Sequence, residues 1–263
     1  MSPAQTYDER VAEYYDLLPL SKDRRDVEFY LACARAAGGR VLELGCGTGR
    51  VLVPIAAAGL EVVWLDLSEA MLAKCREKLR AQPAEAQRRV RLVRGDMTNF
   101  SLGETFALVV IPFRPFQHLL SVQQQLACLG NIGRHLVPGG RLVFDVFQPD
   151  LRRLHDPVYQ QETDEVPERT LADGRRFRVT SRVLAFRRAE QINEVELIYH
   201  ITSPDGREER IVEPLTLRYF FRYELEHLLA RGGFRVMEVF GDFERSPLRD
   251  DSPEMIFVAE KTR

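Results

Sequence analysis

Short apolar runs alternate with stretches of helical period over the first half of the chain. Residues 22–37 set apolar side chains between charges at helical spacing, and Gly38-Gly39 stops that helix. The run 40–44 reads as a buried strand; a glycine-rich turn and a helix over 49–58 follow it, ending near Gly59. A second strand spans 61–66. Ser68 is placed to N-cap a helix in which Met71, Leu72, Cys75 and Leu79 share one face. Further strands are expected at 89–94 and 106–111 and a helix at 121–136. Leu136-Val-Pro-Gly-Gly140 then turns into a fifth strand at 141–147. Strand and helix in this rhythm predict an α/β, doubly wound, mostly parallel sheet with helices on both faces.

The pattern changes beyond residue 148. Segments 175–179, 181–187, 194–201 and 209–218 are β-rich with no helix between them, and Ser203-Pro-Asp-Gly206 is a strong hairpin turn. These features predict an antiparallel β subdomain inserted into the parallel core. A helix at 222–231 and strands at 234–240 and 254–260 then complete a seven-stranded sheet. The expected divisions are therefore 1–147, the inserted 148–220, and 221–263.

Composition narrows the function only slightly. A chain of 263 residues, 45% hydrophobic and 29% charged, can bury a sizeable core. A formal net charge of -2 lacks the basic field of an autonomous nucleic-acid binder. Four of the 37 basic residues are lysines, which assigns no function. The first ten residues carry no signal-peptide pattern and no apolar run reaches membrane-spanning length, so a cytoplasmic protein with no membrane partner is expected. Cys33, Cys46, Cys75 and Cys128 lack metal or disulfide spacing; reduced thiols and no metal are the expectation.

The chemistry centres on Val41-Leu-Glu-Leu-Gly45-Cys-Gly47-Thr-Gly49-Arg50. Glycines after a strand let the backbone approach a ligand closely. A dinucleotide fingerprint wants Gly or Ala where Arg50 stands, which weighs against pyrophosphate over the helix start. Asp66 ends the second strand, where a carboxylate can accept from a ribose diol. That feature alone does not separate a nicotinamide enzyme from other nucleoside binders. Gly95-Asp96-Met97 adds a second carboxylate at the same sheet edge, and a Pro-Phe-rich loop follows 106–111.

Taken in order and spacing, these motifs resemble the class I S-adenosylmethionine-dependent methyltransferases, strongly over 37–147 and more loosely over 214–260. The resemblance implies a Rossmann-like core with S-adenosylmethionine as cofactor and S-adenosylhomocysteine as product. It implies that Glu43 and the turn Gly45, Cys46, Gly47, Thr48 and Gly49 line the methionine and ribose portion. Asp66 would bind the ribose hydroxyls, with Leu67 and Met71 against the adenine. Asp96 would accept from the adenine amino group beside Met97, and Ile111 and Pro112 would close the site near the sulfonium. His118 matches a position near the acceptor in some relatives and is the first candidate for a general base. Tyr15 is taken over Tyr14 as the lid tyrosine. Phe113 and Phe116 would wall an apolar acceptor pocket, Arg114 would pair with an anionic group, and Tyr219, Phe220 and Arg222 are candidate acceptor contacts.

The loop after 106–111 lacks the Asn/Asp-Pro-Pro-Tyr pattern of nucleic-acid and glutamine amine methylases, so a small-molecule acceptor is expected. The alternatives are an RNA or protein methyltransferase, or a catalytically silent cofactor-binding module. Its place between the fifth strand and the late helix would let the insert cover the acceptor side, and analogy with sugar-amine relatives suggests a homodimer contact there as well. Plainer readings stand beside several of these. Asp66 and Asp96 could cap helices, Arg114 could be a solvated loop charge, and Phe113 and Phe116 could anchor the loop in the core.

Overall fold

The computed structural model describes residues 7, 9–18 and 25–262, without the side chains of residues 154 and 155. The first residues of the helix expected from residue 22 lie outside the described residues. A short helix α1 (Glu9–Tyr14) and a 3-10 turn (Tyr15–Leu17) come first, then α2 (Asp26–Ala37). The core continues as β1 (Val41–Leu44), α3 (Leu52–Ala57), β2 (Val62–Asp66), α4 (Glu69–Arg80), α5 (Ala84–Arg88), β3 (Val90–Arg94) and β4 (Phe106–Ile111). After a 3-10 turn (Pro115–His118) come α6 (Val122–His135), β5 (Leu136–Phe147) and α7 (Leu151–His155). Four strands follow, β6 (Thr163–Thr170), β7 (Arg176–Arg187), β8 (Ile192–Thr202) and β9 (Glu208–Arg218), before α8 (Arg222–Arg231), β10 (Phe234–Phe240) and β11 (Glu254–Lys261).

Seven strands form one sheet in the order β10-β11-β5-β4-β1-β2-β3. Among the described strands, β11 is the one that runs opposite to the other six of this sheet. The four residues of β1 are all buried, as a strand covered on both faces requires. Alternate strand positions feed two separate cores. Leu42, Leu44, Val63, Leu65 and Val109 pack with residues of α6 and α8. Val41, Val62, Trp64, Leu108 and Val110 pack with residues of α2, α3 and α4. Glu43 shares the second face by parity, which brings a carboxylate into an apolar layer.

Strands β6-β7-β8-β9 form a separate antiparallel sheet. Its inner face, with Phe177, Val179, Tyr199 and Ile211, is covered by Val11, Tyr14 and Leu18 of the N-terminal segment. The insert thus depends on the start of the chain for its core. Gly206, at φ 84°, closes the β8–β9 hairpin within the Ser203–Gly206 turn.

Several expectations need correction in detail. β6 was not anticipated: its Thr-Asp-Glu-Val-Pro-Glu-Arg-Thr sequence has one buried residue, Val166, and pairs on one side only. Proline and charge suit such an edge strand. The segments 175–179 and 181–187 form one strand, bulged between Val183 and Ala185. Leu136–Gly140 is no separate turn. Leu136 already pairs with Phe106, and the register then jumps so that Leu108 faces Arg141. The helix expected from residue 49 starts at Leu52, because the chain stays in turns through the glycines.

Gly49 is required by packing beneath the turn. Its φ is 83°, and a Cβ there would lie 2.7 Å from Cys75 Sγ and 3.1 Å from the Trp64 ring. Gly49→Ala should therefore lower stability by about 3 kcal/mol, combining overpacking with the left-handed backbone. Urea unfolding followed by the fluorescence of Trp64, the single tryptophan, measures this as a lowered midpoint with an unchanged slope.

Candidate active site

Strand order reverses between β4 and β1, and the carboxyl ends of β1 to β4 converge beside that switch point. A cleft opens there, spanning about 1120 Å³ when the solvent at its mouth is counted. Its floor is the glycine turn, and each glycine serves a different purpose. Gly45, at φ 71°, lies so close to the next loop that a Cβ would sit 2.6 Å from Pro115 Cβ. Gly47, at φ 54°, faces the cleft, where a Cβ would meet only the Tyr15 ring at 3.9 Å. Gly49 packs downward and does not line the cleft, a correction to its expected place.

Asp66, at the end of β2, accepts from Gly47 N–H at Oδ2 and from Ser68 N–H at Oδ1, both at 2.8 Å. Burial raises its pKa, opposed by these backbone donors. One carboxylate therefore ties the turn after β1 to the start of α4. Ser68 in turn caps α4, accepting from Met71 N–H at 3.2 Å, and donates to the Tyr7 carbonyl at 2.7 Å. Asp96, after β3, receives both Thr98 donors on Oδ1, at 2.7 and 2.8 Å.

Glu43 is buried, and its Oε2 has no hydrogen-bond partner among the described residues. Desolvation pushes its pKa well above the usual carboxylate range, with Arg50 partly offsetting this. Arg50 itself is committed to the buried Asp26 through bonds of 2.6 and 2.5 Å, and its guanidinium lies 5.2 Å from the Phe113 ring centre. The cleft therefore holds acidic groups, while its one lining guanidinium among the described residues is charge-balanced from behind.

The loop after β4 is strained. Phe113 and Arg114 both have positive φ, 68° and 73°, a pair of conformations that costs roughly 1–2 kcal/mol per residue. Two buried carboxylates hold it. Asp145 on β5 accepts from Phe113 N–H at 2.8 Å and from the Tyr30 hydroxyl at 2.6 Å. Glu254 on β11 takes two bonds from Arg114, at 2.5 and 3.3 Å. The turn leaves Phe113 in the cleft wall, edge-on to Tyr15 at 6.2 Å.

His118 also lines the cleft. Burial lowers its pKa to about 4, against a smaller opposing effect of a hydrogen bond to the Thr216 backbone on β9. Nδ1 is buried and has no partner among the described residues, so the other ring nitrogen makes that bond. A ring this hard to protonate is a weak base, which corrects the expectation built on an unperturbed imidazole. It is suited to hydrogen bonding in its neutral form.

The structure gathers Tyr15, Glu43, Gly45, Cys46, Gly47, Thr48, Asp66, Leu67, Met71, Asp96, Met97, Pro112, Phe113 and His118 around this one cleft. Tyr14 points away, stacked on Phe177 with its hydroxyl 2.8 Å from Arg175 Nη1. Besides Gly49, six expected residues lie outside the cleft. Ile111 is fully buried in the core, and Phe116 packs on Phe144 and Phe220, so both anchor rather than line. Arg114 is spent on Glu254. Tyr219 stacks on Phe186, Phe220 is a core residue, and Arg222 pairs along its helix with Glu226. Sequence reading missed Tyr7, Arg50, Pro115 and Gln124 in the lining. Arg50 had left a signal, as the residue that broke the dinucleotide pattern.

A nucleoside-sized cleft with acids at successive strand ends defines a Rossmann-like binder of a cofactor without phosphates. Comparison with known proteins agrees. Residues 41–140 match the model of the methyltransferase domain family. The chain is 28% identical to the cypemycin N-terminal methyltransferase of a Streptomyces species, over 99% of this chain and 100% of that one. It is 34% identical to a ubiquinone/menaquinone biosynthesis C-methyltransferase of Syntrophotalea carbinolica, over 65% of this chain and 73% of that one. The solved structure of the CcbJ methyltransferase from Streptomyces caelestis superposes with a TM-score of 0.76 at 27% identity, covering 98% and 100% of the two chains. The protein belongs to the class I S-adenosylmethionine-dependent methyltransferases, and S-adenosylmethionine is its cofactor. No helix among the described residues is long and apolar enough to cross a membrane.

The folded pKa of His118 lies below its unfolded value near 6.5, so unfolding takes up a proton between about pH 4 and 6.5. Stability contributed by this ring is fully present above that window and falls by about 3 kcal/mol as pH drops through it. Ring titration by NMR should show His118 neutral down to about pH 5. His118→Asn should flatten this part of the acid loss in urea unfolding.

Proposed function

We propose that this enzyme methylates the neutral amine nitrogen of a small molecule. The carrying observation is the unpartnered, buried Nδ1 of a His118 ring kept neutral beside the cleft. With the other ring nitrogen donating to the Thr216 carbonyl, Nδ1 carries the lone pair. A small shift of the ring into the cleft, with the Thr216 bond kept, would bring Nδ1 to an N–H of the acceptor and so hold the nitrogen's own lone pair free for attack. The charge pattern supports an amine over an anionic acceptor. Arg50 and Arg114, the guanidiniums nearest the strained loop, already face Asp26 and Glu254. Burial disfavours charge, so an amine entering here is pushed toward its reactive neutral form without a strong base. The cypemycin enzyme carries an N-terminal methyltransferase name, which supports the same acceptor class.

The residues fit the cofactor. The orphaned Glu43 Oε2 suits its cationic end, and the unfilled acceptor capacity of Asp66 suits the ribose diol. Gly45, Cys46, Gly47 and Thr48 would line the methionine and ribose portion. Leu67 and Met71 would pack on the adenine, with Asp96 accepting from its amino group beside Met97. When bound, S-adenosylmethionine supplies a methyl group on a positively charged sulfur. Pro112, Phe113 and Tyr15 would wall the transfer position and exclude water. Most of the catalytic effect then comes from alignment, for which about 7–11 kcal/mol is available. The antiparallel insert, residues 148–220, serves as the acceptor-side cover through Thr216 and through the N-terminal segment packed on its inner face.

Calorimetry with S-adenosylhomocysteine tests the cofactor roles. Asp66→Ala should weaken binding about 100-fold, the loss of two charge-assisted bonds. A screen of metabolite extracts with methyl-labelled cofactor tests the acceptor. Labelled products are expected to be N-methyl amines; label found only on oxygen, carbon or macromolecules would overturn the amine reading.

A further inference from the structure

The segment that carries Tyr15 is tied to the core by a polar trio, of which Thr48 lines the cleft while Asp16 and Lys78 do not. Asp16 follows Tyr15 in the 3-10 turn, Thr48 sits in the glycine turn, and Lys78 is near the end of α4. Thr48 Oγ1 donates to Asp16 Oδ1 at 2.6 Å. Lys78 Nζ donates to Thr48 Oγ1 at 2.8 Å and lies 2.6 Å from Asp16 Oδ2. Each of the three thus touches the other two. Thr48 is buried at 1% exposure, while the side chains of Asp16 and Lys78 keep 38% and 35% of theirs. A closed triangle fixes geometry better than a lone surface ion pair, because moving any member breaks two contacts at once.

The neighbours of this trio define what it holds. Tyr15 lies over Gly47, against Phe113 at 6.2 Å and Tyr7 at 5.5 Å, and so crosses the mouth of the cleft. The same segment is held on its other side by the insert. Tyr14 stacks on Phe177, and Arg169 donates to the Leu17 carbonyl. If the trio opened, the segment would keep its apolar anchor on the insert and lose its tie to the glycine turn. The apolar anchor alone therefore does not set how Tyr15 sits over Gly47.

We propose that Asp16 and Lys78 are positioning residues that latch the N-terminal segment to Thr48, seat Tyr15 across the cleft, and set the dissociation rate of the cofactor product. This rests on the cofactor reading of the cleft. The latch is half-exposed and ionic, so salt should weaken it.

Stopped-flow displacement of S-adenosylhomocysteine tests the latch, with the fluorescence of Trp64 beneath the turn as reporter. Asp16→Asn and Lys78→Met should each speed dissociation about fivefold, the upper end for such a pair, with little change in the thermal midpoint. Added salt should speed dissociation from the wild type and have little effect on either variant. The charge-exchanged double variant, Asp16→Lys with Lys78→Asp, should recover slower dissociation than either Asp16→Lys or Lys78→Asp alone, which a merely structural role would not produce. Unchanged dissociation rates in both neutral variants would overturn the latch. So would a double variant no slower than its singles. Failure of the wild type to bind S-adenosylhomocysteine would instead overturn the cofactor reading of the cleft.

Discussion

The bare Cα of Gly45 lets Pro115 sit so close that a methyl group there would lie 2.6 Å from the proline ring. This contact couples the two halves of the site. In the proposed reading the turn after β1 serves the cofactor and the loop after β4 faces the acceptor, and Pro115 seats one on the other. The strain at Phe113 and Arg114 follows from that seating, since the chain must reverse sharply between Ile111 and Pro115. Asp145 and Glu254 stabilise the reversal from two further strands, so the loop is braced by β5 and β11. Loss of either carboxylate would cost more than a surface bond, because a strained turn and a buried donor would be left without support.

Electrostatics gives the cleft its selectivity. Glu43, Asp66 and Asp96 come from the ends of three successive strands, and their raised or shared acceptor capacity favours a ligand rich in donors and cationic at one end. Phosphate would find no uncommitted guanidinium in the lining among the described residues. His118 belongs to the same low-polarity environment. The burial that weakens it as a base also preserves its lone pair at neutral pH.

Much of this was legible in the residue pattern because it obeys short-range periodicity. The alternation of apolar strands with helical stretches predicted the parallel core, Ser68 announced α4, and acids at strand ends marked the cleft. What escaped is long-range. That Gly49 serves Trp64 and Cys75 rather than the ligand depends on packing across two elements. Arg114 looked available to an anion until β11 brought Glu254 beside it, 140 positions away. The base strength of His118 depended on burial by a strand from the insert. β6 was invisible because an edge strand with one buried residue leaves almost no alternation to read. Tyr219, Phe220 and Arg222 were drawn toward the acceptor by their place at the insert's exit, whereas two pack into neighbouring aromatic side chains and the third stays on the surface of α8.

The central claim is that the cofactor occupies the cleft between the glycine turn and the strained loop. The methionines report on it directly. Met71 and Met97 line the cleft, whereas Met255 is buried in the core beside β5 and Met237 lies exposed on β10. In protein labelled at the methionine methyl carbon, S-adenosylhomocysteine should shift the NMR signals of Met71 and Met97 and leave those of Met237 and Met255 in place. Binding that moved Met237 or Met255 while sparing Met71 and Met97 would contradict the account.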